Sequence, residues 1–182
     1  MGDTLWTKTY GSVGYDYAYS IKQTMDSGFV ITGTTDGFGV GNQDVYVIRT
    51  DAMGDTLWTK VYGGSGFEGG WTIDETSDSG YVICGWANSF SAGGYDVYLI
   101  RTDAAGDTLW TKSYGGTSDD IGLTVTETPD SGYLVTGYTY SFGAINGDAY
   151  AMALTSSGSV IWSKAYGGAL GDAAYTMSAT PD

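Results

Sequence analysis

The chain has 182 residues, of which 42% are hydrophobic and 15% aromatic, so it can bury a substantial core and is not a disordered protein. Its 7 basic and 21 acidic residues give a net charge of -14, which argues against nucleic acid and anionic membrane surfaces as partners. With Cys84 as the single cysteine and no histidine, the chain cannot form a disulfide framework, a histidine-based triad or a histidine-based metal site.

The first recognisable feature along the chain is a repeated heptapeptide. Gly-Asp-Thr-Leu-Trp-Thr-Lys begins at Gly2, Gly54 and Gly106, and a diverged version begins at Gly158. The spacing of 52 residues predicts a tandem array of one structural unit. We therefore divide the chain into full repeats 2–53, 54–105 and 106–157 and a partial repeat 158–182.

Each repeat contains four short segments with strand character, which in the second copy are residues 56–62, 70–77, 80–86 and 96–103. They are rich in Thr, Tyr, Val, Ile and Trp. Tight turns separate some of them, namely Asp-Ser-Gly at 78–80 and the glycine-containing turn at 51–55. The segment after Asp-Ser-Gly is almost continuously apolar, which predicts a central strand, whereas the heptapeptide predicts an outer one. Four antiparallel strands per repeat predict an all-β, propeller-type fold.

The pattern D-x-x-G-D-T-L-W-x-K-x-Y-G-G, followed by an acid, D-S-G-Y-x-x-x-G and D-x-Y, resembles the β-propeller repeat of secreted bacterial proteins. The resemblance covers the whole chain and implies a fold and an extracellular or cell-surface location, although no export leader precedes the first repeat. The turn at 50–58 is also similar to the sialidase Asp-box and to the quinoprotein docking motif. A sialidase would need three arginines, and only Arg49 and Arg101 are present. A quinoprotein would need a complete ring larger than this chain.

Counting segments predicts fourteen strands, or about three and a half blades, which are incomplete as a single ring because rings need at least about four blades. The first and last segments, residues 2–10 and 172–180, would then have unpaired edges that favour strand addition. We therefore expect a fragment of a longer array, a homo-oligomer in which the chain is its own partner, or both together. The expected assembly residues are Leu5, Trp6, Tyr10, Tyr175 and Met177.

Acidic residues recur in the two longer loops of every repeat, at the end of the sheet opposite the tight turns. These residues are Asp16, Glu68, Asp120 and Asp172 in the first loop and Asp44, Asp96 and Asp148 in the second. Converging carboxylates would suit Ca²⁺. The alternative is that each acid accepts backbone N–H bonds and orders its own loop. No compact calcium-binding loop is present, so the prediction is no resident cofactor, with Ca²⁺ as the one candidate.

Aromatic residues near the same loops suggest a carbohydrate partner, because sugar rings stack on exposed aromatic faces. Trp71 and Trp86 interrupt the repeat, and Tyr138 is the counterpart of Trp86. The alternative is that they belong to the core. A regular series, Phe38, Phe90 and Phe142, is expected to pack each loop onto its own sheet.

These patterns predict a non-enzymatic binding or recognition module outside the cytoplasm, whose ligand is a carbohydrate or a protein. The rival hypothesis is a structural protein whose edge strands join subunits into a ring or filament. Glycoside hydrolysis by a carboxylate pair is a third candidate, but acids repeated in every copy favour structure over one distinctive active site. No apolar run is long enough to span a membrane.

Overall fold

A computed structural model describes residues 2–143 and 146–178, in which twelve β-strands and no helix are present. The strands form three antiparallel four-stranded sheets in tandem, each in sequential strand order. Sheet 1 contains β1 (Asp16–Gln23), β2 (Phe29–Thr35), β3 (Asp44–Thr50) and β4 (Thr56–Tyr62). Sheet 2 contains β5 (Glu68–Glu75), β6 (Tyr81–Ala87), β7 (Asp96–Thr102) and β8 (Thr108–Tyr114). Sheet 3 contains β9 (Asp120–Glu127), β10 (Tyr133–Thr139), β11 (Asp148–Leu154) and β12 (Val160–Tyr166). The predicted all-β class and the 52-residue unit are therefore confirmed.

The strand bounds predicted in the second repeat agree with the structure to within about one residue, except for those of the first strand of sheet 2. In the second repeat this strand begins at Glu68, two residues earlier than expected, and it is bulged because the register with β6 shifts between Gly70 and Thr72. A bulge inserts an extra residue and breaks the strict alternation of side chains. Because the alternation is broken, the sequence pattern of this segment did not indicate where the strand begins.

The tight turns form as the sequence predicts. Each Asp-Ser-Gly turn places its serine, Ser27, Ser79 or Ser131, in the left-handed region with φ between 63° and 70°. The Gly54 and Gly106 turns before the heptapeptide strands also have positive φ, both at 77°. Because these turns lie at one end of each sheet, the longer loops lie together at the other end.

The core lies between consecutive sheets. Every residue of β3 and β7 is buried, as is almost all of β2 and β6, whereas β4 and β8 are much more exposed, which confirms the predicted central and outer strands. Side chains of sheet 1, including Val30 and Val47, pack against Ile83 and Ile100 of sheet 2. An equivalent layer joins sheet 2 to sheet 3. The three sheets of the described residues form no closed ring.

The prediction of fourteen strands is wrong within the described residues, because residues 2–10 and 172–178 form no strand. Residues 179 and 180 of the predicted last strand lie outside the described residues. Each predicted edge strand lacks a neighbouring strand with which to form a backbone ladder. Residues 2–10 are instead held by side chains: Trp6 packs against Phe29 with ring centroids 5.8 Å apart, and the Tyr10 phenol donates to the Gly54 carbonyl at 2.7 Å.

Three of the five residues expected to form assembly edges project from these two segments instead. Leu5 and Tyr175 are exposed, and Met177 is half-buried. The segment 171–178 lies beside β10, because the Ala174 amide donates to the Gly137 carbonyl at 3.1 Å. The structure therefore contains three complete sheets and two flanking segments.

Candidate functional site

An aromatic pocket of about 300 Å³ opens at the long-loop end of the junction between sheets 2 and 3. We call it the aromatic pocket; its lining residues are Trp71, Trp86, Tyr95, Asp119, Ile121 and Tyr138. Its aromatic side chains are only partly buried, in contrast to the core tyrosines Tyr81 and Tyr133. Partly exposed aromatic faces around a concave site are typical of ligand-binding surfaces.

Trp86 lies over Gly69 on the neighbouring strand of its own sheet. The two residues are paired across β5 and β6, and a Cβ on residue 69 would lie 2.2 Å from the indole ring. The other repeats have Tyr17 and Ile121 at this position, and there the counterparts of Trp86 are Thr34 and Tyr138. The absence of a side chain at residue 69 therefore provides the space in which the indole lies.

Trp71 is the extra residue of the bulge in β5. Its ring centroid lies 5.3 Å from that of Trp86 and 4.4 Å from that of Tyr19, which lies on β1. Because the bulge removes Trp71 from regular pairing, its side chain extends the aromatic surface from the junction between sheets 2 and 3 toward sheet 1.

Asp119 is the only charged residue that lines the aromatic pocket. Its Oδ1 accepts a hydrogen bond from the Tyr95 amide at 2.9 Å, and its carbonyl accepts one from the Tyr140 amide at 2.9 Å. These bonds fix an exposed carboxylate at the rim of the pocket, where it can accept hydrogen bonds from hydroxyl groups.

Tyr138 forms another side of the pocket and stands edge-on to Tyr140, with ring centroids 5.9 Å apart. Burial raises the pKa of the Tyr138 phenol, and the nearby Tyr140 and Asp119 raise it further. The phenol therefore stays protonated at neutral pH and can donate a hydrogen bond. The pocket combines aromatic faces, a hydroxyl donor and one carboxylate acceptor.

The repeated acids of the first long loop order that loop. Oxygens of Asp16, Glu68, Asp120 and Asp172 each accept the amide of the residue four positions earlier, at 2.6 to 3.0 Å. Glu68 also accepts the amide of Ser89 from the second loop at 3.0 Å. This arrangement agrees with the structural alternative for these residues.

The acids of the second loop are buried at the start of the third strand in each sheet, at Asp44, Asp96 and Asp148. Asp96 accepts the Ala92 amide at 2.9 Å, and Asp44 accepts the Gly41 amide at 3.2 Å. Burial raises the pKa of Asp44 and Asp96, and the neighbouring acids Glu68 and Asp120 raise it further. Within the described ranges, no group of three or more acidic, cysteine or histidine side chains could hold a metal ion.

The predicted aromatic residues thus come together, whereas the predicted acids do not enter the pocket. Trp71, Trp86 and Tyr138 line one site, although they come from two different repeats. Phe38, Phe90 and Phe142 pack against Tyr46, Tyr98 and Tyr150 of their own sheets, as expected, with ring centroids 5.4 to 5.5 Å apart.

Sequence reasoning missed Gly69, Tyr95, Asp119 and Ile121. A usable signal was present, because each differs from its counterparts 52 residues away. Tyr95 stands where the other repeats have Gln43 and Gly147, and Asp119 stands where they have Tyr15 and Phe67. In fact all six lining residues depart from the repeat, whereas the positions that hold the sheets together largely follow it.

A larger pocket of about 450 Å³ lies on the face of sheet 1 that turns away from sheet 2, and it is lined by β1 and by residues 8–10 among others. Its exposed apolar side chains belong to a sheet surface rather than to a loop cluster.

Comparison with known proteins adds no functional assignment. No family model matches the chain, and no curated protein is significantly similar to it. The part of the chain that the structure describes contains no helix long and apolar enough to cross a membrane.

Proposed function

We propose that this protein is a non-enzymatic carbohydrate-binding module, in which the three sheets act as consecutive blades of a β-propeller and the aromatic pocket receives a sugar ring. The observation that carries the proposal is the convergence of Trp71, Trp86 and Tyr138 around one pocket. The extracellular location and the propeller arrangement rest on the sequence resemblance and on the tandem packing of the sheets.

The chemistry of the pocket fits a neutral sugar. The apolar face of a pyranose stacks on an indole, while its hydroxyl groups can donate to Asp119 and accept from the Tyr138 phenol. A cavity of about 300 Å³ is at the lower end of the size range of ligand pockets, so it suits one sugar unit of a longer glycan. An anionic glycan would be disfavoured because Asp119 and the net charge of -14 repel it.

The alternative is that the same aromatic residues serve only in the core. Substitutions taken from other copies of the repeat distinguish this structural role from a binding role. Trp86→Thr and Trp71→Leu install the residues that other copies of the repeat have at these positions, Thr34 and Leu123, so both changes should leave the sheets intact. Phe142→Leu is a matched control, because Phe142 is an exposed loop aromatic that stacks on Tyr150 outside the pocket.

The test is a glycan array followed by calorimetric titration of the best neutral oligosaccharide. We expect Trp86→Thr and Trp71→Leu each to weaken binding about tenfold or more, and Phe142→Leu to leave it unchanged. A chelator should have no effect, because Asp119 is the only carboxylate lining the pocket. The absence of binding to any glycan, or equal loss with Phe142→Leu, would contradict the proposal.

A further inference from the structure

The face of sheet 1 that turns away from sheet 2 and the face of sheet 3 that turns away from sheet 2 are the two end faces of the structure. Each is the counterpart of one side of the junctions that join consecutive sheets. In the junctions between sheets, Ile73 and Val125 on the first strands are only 3% and 4% exposed, because the preceding sheet covers them. Their counterpart on sheet 1, Ile21, is 60% exposed and lines the 450 Å³ pocket.

At the other end, sheet 3 turns Leu134 and Ala151 outward, the counterparts of Val82 and Leu99 in the junction between sheets 2 and 3.

The first observation that indicates what covers these faces concerns a hydrogen bond between an arginine and a tyrosine. It is present in both internal junctions, but its two residues are replaced on the end faces. In the internal junctions, Arg49 Nε donates to the Tyr81 phenol at 2.9 Å, and Arg101 Nε donates to the Tyr133 phenol at 2.8 Å. The outward face of sheet 3 has Ala153 at the arginine position, and the open face of sheet 1 has Phe29 at the tyrosine position. The outward face of sheet 3 therefore lacks the donor, and the open face of sheet 1 lacks the acceptor.

A second pair of groups is lost in the same way. The amides of Met25 and Ser77 donate to the carboxylates of Glu75 and Glu127 on the next sheet, at 2.8 and 2.7 Å. Sheet 3 has Pro129 at the donor position, which has no N–H, and sheet 1 has the neutral Gln23 at the acceptor position. A contact between these two end faces would therefore leave neither this amide donor nor this carboxylate without its partner.

The side-chain volumes of the end faces also correspond. In the internal junctions a Cβ on Gly70 or Gly122 would lie 2.4 or 2.3 Å from Thr32 Oγ1 or Cys84 Sγ. It would also lie 3.0 or 2.9 Å from a methyl group of Val45 or Val97. Sheet 3 has the smaller Ala149 at the valine position, and β1 has the larger Ala18 at the glycine position. The same exchange already occurs in the chain, because Ala174 takes this position beside β10.

Residues 2–10 occupy the place that the fourth strand of a neighbouring sheet would take. Lys8 pairs with Asp55 at 2.6 Å and Tyr10 donates to Gly54, just as Lys60 pairs with Asp107 and Tyr62 donates to Gly106. The strand β12 carries the matching set, Trp162, Lys164 and Tyr166, and Trp162 and Tyr166 are 40% and 54% exposed. Strand β12 of another copy can therefore replace residues 2–10 on sheet 1. Its tryptophan, lysine and tyrosine would take over the contacts of Trp6, Lys8 and Tyr10 with Phe29, Asp55 and Gly54.

We propose that a second copy of this chain covers the open face of sheet 1 with the outward face of its own sheet 3. Strand β12 of the second copy then displaces residues 2–10 of the first copy, and β1 of the first copy displaces residues 171–178 of the second. The contact is heterologous, since it joins two different surfaces, and it generates either a closed ring or a filament. It is independent of the aromatic pocket, which lies in the junction between sheets 2 and 3.

Sedimentation velocity of the full chain over a range of micromolar concentrations tests the proposal. We expect species of at least twice the monomer mass of 19.1 kDa. Ala153→Arg should weaken association about tenfold or more, because its Nε would face Phe29 and lack the phenol acceptor that Arg49 and Arg101 have. Adding Phe29→Tyr to Ala153→Arg should restore most of the affinity, since the pair then matches Arg101 and Tyr133.

Two further variants test the contact independently, one for a general effect of charge and one for competition by residues 2–10. Ser157→Arg adds the same charge to an exposed turn of sheet 3 and should not change association. Trp6→Ala weakens the hold of residues 2–10 on Phe29, so it should increase association. A monomer at every concentration would overturn the proposal, as would association that Ala153→Arg leaves unchanged. Near-ultraviolet circular dichroism of each variant verifies that it is folded.

Discussion

A Cβ atom on Gly122 would lie 2.3 Å from the Sγ atom of Cys84, so the first strand of sheet 3 and the second strand of sheet 2 approach as closely as their side chains allow. Cys84 is completely buried, and Gly122 is the counterpart of Gly70, which faces Thr32 in the preceding junction. In the two internal junctions, the glycine at this position is therefore a packing requirement.

Gly122→Ala should lower the free energy of unfolding by about 1–3 kcal/mol, because the added methyl group overlaps Cys84 and Val97 in a closely packed layer. Chemical denaturation followed by fluorescence measures the change. Gly168→Ala is the control: nothing lies within 4 Å of a Cβ there, so this variant should match the parent protein. Equal stability of the two variants would show that the junction is looser than the structure indicates.

Alkylation of Cys84 should report unfolding of the protein. Burial raises the pKa of the Cys84 thiol and keeps reagents from the sulfur. We expect iodoacetamide to react more than about a thousandfold more slowly in native buffer than in denaturant. Mass spectrometry of samples quenched over time gives both rates. Rapid labelling of the folded protein would mean that the junction between sheets 2 and 3 opens locally.

The Arg101–Tyr133 contact should behave as a coupled pair. Tyr133→Phe leaves a buried guanidinium N–H without its acceptor and should cost about 1–3 kcal/mol. Adding Arg101→Ala removes the unpaired donor, so this second change should cost less in the Tyr133→Phe variant than in the parent protein. A double-mutant cycle of denaturation measurements gives the coupling free energy. Strict additivity would contradict the role that we assign to this contact.

The Asp26 turn should make the protein less stable in acid. Hydrogen bonds from Thr24 and Arg49 lower the pKa of Asp26 to about 2, below its ordinary value of 3.8. A carboxyl whose pKa is lowered by folding stabilises the protein above its unfolded-state pKa, and this contribution is lost as the pH falls from about 4 to about 2. Asp26→Asn should therefore lower the melting temperature at pH 7, and the difference should disappear near pH 2.

Asp130→Asn is the matched control for this prediction. Asp130 has the same turn and the same threonine donor, Thr128, but Ala153 replaces the arginine that would face it. Its substitution should therefore have the smaller effect at pH 7. Equal effects at the two positions would mean that the threonine bond alone accounts for the contribution of the turn.

The sequence was sufficient to predict the strands because apolar runs and Asp-Ser-Gly turns act locally. The segments 56–62 and 96–103 differ from β4 and β7 by one residue at most. The bulge at Trp71 was not predictable in the same way, since it depends on how β5 pairs with β6. Residues 2–10 repeat the heptapeptide strand but form no strand, because a strand needs a neighbour as well as a sequence.

The aromatic pocket was predictable only in part, because it forms across a junction. Trp71 and Trp86 were identified as departures from the repeat, but their proximity to Asp119 follows from the packing of sheet 2 on sheet 3. A systematic comparison of each position with its counterparts 52 residues away would have included all six lining residues among the positions that depart from the repeat.

The principal contacts between sheets join neighbours in the chain, sheet 1 to sheet 2 and sheet 2 to sheet 3. In such an architecture stability is approximately a sum over adjacent units. Unequal recombination within the coding DNA could therefore insert or delete a whole copy without rebuilding the rest. The heptapeptide, identical in three of its four copies, offers the matching stretch at which such an exchange would begin. Closely related genes should therefore differ in copy number before they differ in the residues of any one copy.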